Sequence, residues 1–117
     1  RWAQALFPLR WLAANGSRVN GIFSRPLGRI PGESVALQQK AIQDWEGSMG
    51  RLERLRTPTL LLSGEQDVIV PPENSRQMAR RIPGSILRIV PGTGHGLMFQ
   101  DPESFCSVVT DFLENRL

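Results

Sequence analysis

Apolar and polar positions follow a helical period before residue 57 and an alternation of strands and helices after it. The segment Glu33–Glu46 is amphipathic and Gly47 marks its end, so we predict a helix there. Its apolar stripe consists of Leu37, Ala41 and Trp45. We expect Trp45 to anchor this helix. A shorter helical piece, Arg51–Arg56, is predicted to end at Thr57-Pro58.

Residues 59–117 alternate apolar runs with amphipathic segments. The run Thr59–Leu62 is typical of a strand that is buried on both faces of a parallel sheet, and Ile86–Val90 predicts a second strand. A helix is predicted after each strand, over residues 72–82 and over residues 101–117. This order predicts a parallel βαβ unit with a right-handed crossover, whose two strands need further strand neighbours.

The first 32 residues have weak periodicity. Prolines and glycines interrupt them at Pro8, Gly16, Gly21, Pro26, Gly28, Pro31 and Gly32. Such spacing permits only short helical pieces, such as Trp2–Phe7. The segment is nevertheless more apolar than a free linker, so we expect it to pack against another part of the protein.

The composition allows one small core. With 117 residues, 40% of them hydrophobic, the chain is at most one domain or part of one. Because it opens on Arg1 rather than on a methionine, we expect either a trimmed chain or a piece of a longer reading frame. It has neither a run of about 20 apolar residues nor a secretory signal. Its single cysteine, Cys106, cannot form an internal disulfide, so we expect a cytoplasmic protein without membrane contact, in which Cys106 is a small buried apolar residue.

The net charge of +3 is modest, but its distribution is uneven. Five arginines precede the first acidic residue, Glu33: Arg1, Arg10, Arg18, Arg25 and Arg29. They could form a basic surface for an anionic partner, or a solvated face of a loop-rich segment. We favour the solvated face and expect no nucleic-acid partner, because basic and aromatic residues do not interleave and no nucleic-acid motif is present.

Two residues with catalytic chemistry follow the predicted strands. Asp67 and His95 each lie a few residues beyond a strand, and loops after parallel strands leave from the same edge of the sheet, where open α/β folds bind ligands. A carboxylate beside an imidazole fixes the proton on one ring nitrogen and stabilises the imidazolium that forms when the other nitrogen takes a proton from a nucleophile. Gly94 and Gly96 are expected to let the backbone turn sharply around His95 and to leave its ring unobstructed.

Over about residues 45–117, the sequence resembles the C-terminal part of the α/β-hydrolase family. The matching motifs are Pro58-Thr59-Leu60-Leu61-Leu62-Ser63-Gly64-Glu65-Gln66-Asp67, Ile69-Val70-Pro71-Pro72, Arg81-Ile82-Pro83-Gly84, Gly94-His95-Gly96 and Gln100-Asp101-Pro102-Glu103. The resemblance implies an α/β fold class: the C-terminal strand-helix-strand-helix portion of the family's parallel sheet, preceded by a mostly helical segment derived from the lid. We therefore expect residues 1–50 to be the lid end and connecting helix, and residues 51–117 to be the C-terminal βαβα part of the core.

By this resemblance, Asp67 is the acid and His95 the base of a Ser-Asp-His triad. The family's order places the nucleophile upstream, in a G-x-S-x-G elbow, and neither this motif nor the oxyanion-hole loop occurs in the chain. The nearest sequence, Glu46–Gly50, lacks the leading glycine and follows a helix, so we interpret Ser48 as part of a helix-ending turn. We expect the nucleophile to lie outside this chain, which would then be inactive alone.

Candidate substrate-binding residues flank the two catalytic positions. Val68, Leu97 and Met98 are predicted to contact substrate by adjacency, although each is equally compatible with the core. The glycines around His95 do not form a dinucleotide loop, because Leu97 stands where G-x-G-x-x-G requires glycine and no helix is predicted to begin at once. One histidine with scattered carboxylates offers no metal-ligand cluster, so we expect neither a metal nor a cofactor.

These observations predict a C-terminal fragment of an enzyme that hydrolyses a small apolar ester, lactone or thioester. Its partner would be the missing N-terminal half of the hydrolase core, or further copies in an oligomer. Dehalogenases and epoxide hydrolases, which use an aspartate nucleophile, and cofactor-free haloperoxidases are compatible with the same segment. A hypothesis of a different class is a non-catalytic binding module derived from a hydrolase, which binds a partner through its exposed sheet edge and apolar N-terminal segment.

Overall fold

The computed structural model describes residues 2–23, 28 and 31–117. In chain order, these ranges contain α1 (Trp2–Leu6), α2 (Leu9–Phe23), α3 (Gly32–Asp44), a 3₁₀ helix (Met49–Arg54), β1 (Leu60–Gly64), α4 (Pro72–Arg81), β2 (Ile86–Val90), α5 (Leu97–Gln100) and α6 (Pro102–Leu113). The strand, helix, strand, helix order predicted for residues 59–117 is therefore confirmed, with the one-turn helix α5 added before the last helix.

The two strands form a parallel pair, as the sequence predicted. Leu60 lies opposite Ile86 and Gly64 lies opposite Val90, so that β1 and β2 end side by side. The loops that follow the two strands therefore start at the same edge of the sheet. This register brings the residues that come a few positions after each strand within reach of one another.

The core lies between the sheet, α4 and the 3₁₀ helix. Its buried residues are Leu52, Leu61 and Ile82, with Met78, Ala79 and Leu87 packed against them. Pro72 and Glu73 occupy the first turn of α4, and Arg80 and Arg81 its last turn. A proline at the start, an acid near the N-terminus and basic residues near the C-terminus each favour a helix with these bounds. The apolar side of α4 thereby covers one face of the strand pair.

The prediction that both strand faces are buried is only half right. Leu61 and Ser63, which alternate onto one face, are buried, whereas Leu60 and Leu62 on the opposite face are half-buried. The whole chain exposes 8970 Å². A compact monomer of its mass exposes about 6400 Å², so much of the surface that a closed domain would bury is accessible here.

The N-terminal segment is more helical than predicted. Trp2–Leu6 matches the short helix expected there, but Leu9–Phe23 is helical on both sides of a kink, in spite of Gly16 and Gly21. The backbone departs from helical geometry at Asn15 (φ −128°, ψ 23°), and the side-chain amide of that residue donates to the Trp11 carbonyl at 2.9 Å. A side chain that satisfies the carbonyl at the kink lets the helix continue beyond it. Of the basic residues in this segment, Arg1, Arg25 and Arg29 lie outside the described residues.

The predicted anchoring of α3 by Trp45 is wrong. The helix forms at the expected place but ends at Asp44, and Trp45 is extended and 62% exposed. Leu37 and Ile42 on the same helix are 63% and 71% exposed. The apolar stripe therefore exists as a pattern, but no other described part of the chain covers it. Ser48 lies at the start of the following 3₁₀ helix, not between a strand and a helix.

The last helix begins as predicted and ends early, at Leu113 rather than Leu117. The side chain of Asp101 accepts a hydrogen bond from Ser104 N at 3.0 Å. Hydrogen bonds from the Ser104 side chain and backbone lower the pKa of Asp101, so this N-cap carboxylate stays ionised at pH values lower than those at which carboxylates ordinarily titrate.

Cys106 is exposed, and its predicted burial is wrong because it lies on the solvent side of the helix. Across the described ranges, no helix is both long enough and apolar enough to cross a bilayer.

We predict that Leu52→Ala lowers the free energy of unfolding by about 2–5 kcal/mol, because it opens a cavity in the core beneath α4. The matched control, Leu37→Ala on the exposed side of α3, should change it by no more than about 0.5 kcal/mol. Urea unfolding followed by tryptophan fluorescence measures both variants. Equal midpoints for the two would contradict the assignment of the core.

Candidate active site

The structure brings Asp67 and His95 together at the carboxyl edge of the sheet. Asp67 follows β1 and His95 follows β2, and the Asp67 Oδ2 atom lies 2.9 Å from His95 Nδ1. Although 28 positions separate the two residues, the parallel register of the strands places their loops side by side. The proximity predicted from the sequence is therefore observed.

Asp67 is held by its own loop. Its Oδ1 atom accepts hydrogen bonds from Ile69 N and Val70 N, both at 2.9 Å, which leaves Oδ2 for the imidazole. The residue is 8% exposed. A buried carboxylate needs such partners, because an unpaired charge in a desolvated position is costly. The loop thus fixes the orientation of the carboxylate independently of His95.

His95 is oriented by that carboxylate. An ionised carboxylate only accepts hydrogen bonds, so in this contact Nδ1 carries the proton and donates it to Asp67 Oδ2. The other ring nitrogen, Nε2, then holds a free lone pair in the neutral ring. The side chain of His95 is 38% exposed whereas that of Asp67 is 8% exposed, so the imidazole is the accessible member of the pair. Chemically, this is a base whose second nitrogen is held by a buried acid.

The two loops are also bonded directly to each other. Glu65 N donates to Val90 O at 3.0 Å, and Gln66 N donates to Thr93 O at 2.8 Å, which continues the strand pairing into the loops. The Thr93 hydroxyl donates to Val90 O at 2.9 Å. The Glu65 carboxylate accepts from Gly92 N at 3.0 Å. The two main-chain bonds therefore help to set the separation of the acid and the base, whereas the Glu65 side-chain bond is exposed and holds only the Gly92 amide.

Gly64, at the end of β1, is required because the other loop passes close to it. A Cβ atom built on Gly64 would lie 2.6 Å from the Thr93 carbonyl oxygen and closer still to that of Gly94. Both oxygens belong to backbone, which cannot rotate away as a side chain can. The absence of a side chain at Gly64 therefore allows the approach that brings the loops together.

The chain turns at His95 and Gly96, as the sequence predicted, but the lack of side chains at Gly94 and Gly96 is explained by packing. Gly96 has φ −86°, which any residue can adopt, but a Cβ there would lie 2.8 Å from Cζ of Phe7 and closer to Cε1. A Cβ on Gly94 would lie 2.9 Å from the Leu6 carbonyl oxygen. The Gly96 amide donates to that same carbonyl at 2.8 Å. The positive φ of this loop occurs instead at Gly92 (φ 68°).

The segment between α1 and α2 therefore packs directly on the His95 loop. Phe7 is 2% exposed and stacks on Trp11, with ring centroids 4.8 Å apart. The expectation that the apolar N-terminal segment packs against another part of the protein is confirmed for Phe7. Composition indicated the packing, but no sequence signal indicated that the histidine loop is the surface it contacts.

The three predicted substrate-binding residues occupy different environments. Val68 is 71% exposed and Met98 is 48% exposed, whereas Leu97 is buried. Leu97 is also the first residue of α5, so the expectation that no helix begins directly after the glycines is wrong. Three further apolar residues beside them are exposed to a similar extent: Ile69, Val70 and Phe99. Within the described residues, no group of three or more potential ligands could hold a metal ion.

Gln100 is the functional-site neighbour that sequence reasoning missed. It is the last residue of α5 and is buried, and its Oε1 atom accepts a hydrogen bond from Gly94 N at 2.7 Å. Gly94 directly precedes His95. In the sequence, Gln100 belongs to the family motif that opens the last helix. Nothing in that motif predicts that its side chain contacts the His95 loop.

We predict that Gly64→Ala separates the Asp67 and His95 loops and destabilises the fold by about 1–3 kcal/mol, because backbone atoms must move. Gly50→Ala is the matched control, since a Cβ at Gly50 meets nothing within 4 Å and its φ is not positive. It should be neutral or slightly stabilising. Urea unfolding gives the stabilities, and an equal effect of both substitutions would refute the close approach.

We also predict that Asp67→Asn changes the tautomer of His95. If the amide oxygen keeps the bonds from Ile69 N and Val70 N, the amide NH₂ group faces Nδ1, which must then accept a hydrogen bond. The ring proton should move to Nε2. Because the chain has one histidine, long-range ¹H–¹⁵N spectra report this ring alone. Glu65→Gln, in the exposed bond to Gly92, should leave the tautomer unchanged, and a protonated Nδ1 in Asp67→Asn would contradict the geometry.

The sequence is similar to that of a protein named as a hydrolase. The chain is 35% identical over 114 residues to a protein of Pseudomonas savastanoi pv. phaseolicola that carries the name "Putative carbamate hydrolase RutD". The match covers 95% of this chain and 44% of that protein, so the chain spans less than half of its relative's length.

Solved structures give the same result. A thermophilic esterase from Thermogutta terrifontis is 36% identical, with a TM-score of 0.56 over 59% of this chain and 25% of the esterase. A second match is MGS-M2, an α/β hydrolase enzyme from a Medee basin deep-sea metagenome library. The match covers 94% of this chain and 41% of the MGS-M2 chain, with a TM-score of 0.72. Because the two sequences are only 15% identical, this match supports the fold alone. The family model described as the alpha/beta hydrolase fold matches residues 5–102. The chain belongs to the α/β hydrolase family.

Proposed function

We propose that this chain supplies the acid and the base of a Ser-Asp-His triad in a hydrolase that cleaves esters or chemically similar carbonyl compounds. The observation that carries the proposal is the 2.9 Å contact between His95 Nδ1 and the buried Asp67 carboxylate. It leaves Nε2 as the nitrogen that can take a proton. The esterase and carbamate hydrolase among the similar proteins support a carbonyl substrate with an oxygen or nitrogen leaving group.

In the proposed reaction, a serine hydroxyl attacks the carbonyl carbon while Nε2 of His95 takes the hydroxyl proton. Asp67 stabilises the imidazolium through the Nδ1 hydrogen bond and remains ionised. The tetrahedral intermediate collapses, its carbon–leaving-group bond breaks, and His95 returns the proton to the departing alcohol or amine. Water then attacks the acyl-serine with His95 again as base, which releases the acid and restores the serine.

The nucleophile in this proposal comes from outside the 117 residues. No G-x-S-x-G sequence occurs in the chain, and Ser48 belongs to the turn before the 3₁₀ helix. The family's order of nucleophile, acid and histidine places the serine before Asp67. We therefore propose that residues 1–50 are the end of a lid with its connecting helix, that residues 51–117 complete the core, and that the partner of this chain is the N-terminal half of the hydrolase core.

The accessible surface supports a partner of this kind. The chain exposes 8970 Å², about 1.4 times the surface of a compact monomer of equal mass. The half-buried strand face at Leu60 and Leu62 is one of the regions that helices of a larger α/β core would cover. These are properties expected of part of a hydrophobic core, and they favour completion by further hydrolase sequence over a self-sufficient binding module.

The substrate side of the site is proposed to be apolar. Val68 and Met98 flank the acid and the base and are 71% and 48% exposed. Side chains of this type bind an alkyl or aryl group and offer no counter-charge. Leu97, which is buried, would support the pocket from behind.

We also propose a cytoplasmic location. The supporting observation is the exposed free thiol of Cys106, since such thiols persist in reducing compartments.

We predict that co-expression with the polypeptide encoded upstream of Arg1 produces hydrolysis of p-nitrophenyl esters or aryl carbamates. His95→Ala should abolish it, and Asp67→Asn should lower kcat by about 10⁴-fold through the wrong tautomer. Cys106→Ser, on the exposed side of α6, is the control and should retain full activity.

Two outcomes would refute parts of this proposal. Hydrolysis by the 117-residue chain alone, lost in His95→Ala, would show that the nucleophile is internal. Unchanged turnover in Asp67→Asn would remove Asp67 from the mechanism. The assays are steady-state kinetics on the purified complex and on the chain by itself.

A further inference from the structure

The backbone on both sides of His95 is held by hydrogen bonds from outside its loop. The amide of Gly94, directly before His95, donates to Gln100 Oε1 at 2.7 Å, and the amide of Gly96, directly after it, donates to Leu6 O at 2.8 Å. The second bond uses a main-chain carbonyl, which every residue type possesses. The first depends on the side chain of one residue, Gln100.

The Gln100 bond lies in a buried environment. Gln100 is 9% exposed, and Gly94 is buried between the end of β1 and the segment after α1. Water cannot readily replace a lost acceptor there, so removing Oε1 would leave the Gly94 amide unpaired or force it to rotate. Rotation of that peptide group moves the N and Cα atoms of the next residue, His95.

The Glu65 bond to Gly92 provides a contrast within the same loop. Glu65 Oε2 accepts from Gly92 N at 3.0 Å, but this bond is exposed. If Glu65 is truncated, solvent can satisfy the Gly92 amide. Glu65 and Gln100 thus each accept a hydrogen bond from one amide of the loop. Only the Gln100 bond is buried, and only its partner, Gly94, is directly bonded to His95.

We propose that Gln100 is a positioning residue for His95. By fixing the Gly94 amide, its side-chain oxygen keeps Nδ1 of His95 within hydrogen-bond distance of Asp67, so that the ring holds the Nδ1-protonated tautomer. The positioning itself is a property of the folded chain, whereas its effect on turnover rests on the proposed function. The two consequences can therefore be measured separately.

The first test is the tautomer of the single histidine in the 117-residue chain, measured by long-range ¹H–¹⁵N spectra. Gln100→Met keeps the length of the side chain and removes the acceptor, and it should convert a uniform Nδ1-protonated signal into a mixture of tautomers. Gln100→Glu retains an acceptor oxygen, so this variant should show the uniform signal of the Nδ1-protonated tautomer. Glu65→Leu, which removes the exposed bond, should give the native spectrum.

A purely structural role would lower stability without changing the tautomer in the folded molecules. Urea unfolding of each variant identifies this case, and an unchanged tautomer in folded Gln100→Met would overturn the proposal. If Gln100→Met does not fold, Gln100→Asn takes its place, because it keeps the amide but is one methylene too short to reach Gly94. Loss of folding in both variants would also overturn it, since Gln100 would then be required by the fold as a whole.

The second test uses the complex with the upstream polypeptide, with a p-nitrophenyl ester as substrate. Gln100→Met should lower kcat by about 10²-fold, the scale expected for a displacement of about 1 Å in a catalytic group, and leave KM within about twofold. Gln100→Glu should recover most of kcat. A rise in KM at constant kcat would overturn the proposal. If the complex is inactive with every side chain intact, the proposed function fails while the tautomer result still decides the role of Gln100.

Discussion

The close passage of two backbone segments at Gly64 is the constraint on which the rest of the site depends. β1 ends where the carbonyl oxygens of Thr93 and Gly94 approach so closely that any Cβ would collide with them. Only because this approach is possible can Gln66 N reach Thr93 O, and only then do the loops align in register beyond the strands. The contact between the acid and the base is a consequence of that alignment.

A second set of contacts joins the N-terminal helices to the same loop. Phe7 occupies the space left by the missing side chain of Gly96, and the neighbouring Leu6 carbonyl holds the Gly96 amide. The aromatic stack of Phe7 on Trp11 extends this contact into α2. The segment that we propose to be the end of the lid is thus in direct contact with the loop of the proposed base, so any displacement of α1 or α2 acts on the backbone beside His95.

The sequence predicted what local chemistry determines. Apolar runs placed both strands, Pro72 and Asp101 placed the helix starts, and the positions of Asp67 and His95 after parallel strands predicted their proximity. It did not predict what depends on nonlocal packing. The exposure of Trp45 and Cys106 follows from which neighbours are present, and periodicity carries no information about neighbours.

The glycines show the same division between local and nonlocal information. From sequence, a glycine next to a catalytic residue indicates a turn, and the chain does turn at His95 and Gly96. The positive φ lies at Gly92, however, and the missing side chain of Gly96 accommodates the ring of Phe7. The sequence does not predict the Gln100 bond, because a glutamine at a helix end is ordinarily exposed to solvent. In this structure Gln100 is buried, which its local sequence does not indicate, and its side-chain oxygen bonds the Gly94 amide.

The acid and the base lie 28 positions apart, and the chain between them contains only α4 and β2. Their contact therefore closes a loop of that length, which costs less conformational entropy than a contact between segments farther apart in the chain. A nucleophile supplied from elsewhere would have to be placed against this pair by contacts between segments that are distant in the chain. In an enzyme built this way, the geometry of the acid and the base is a property of one local unit, whereas reactivity depends on how the distant segments pack against it.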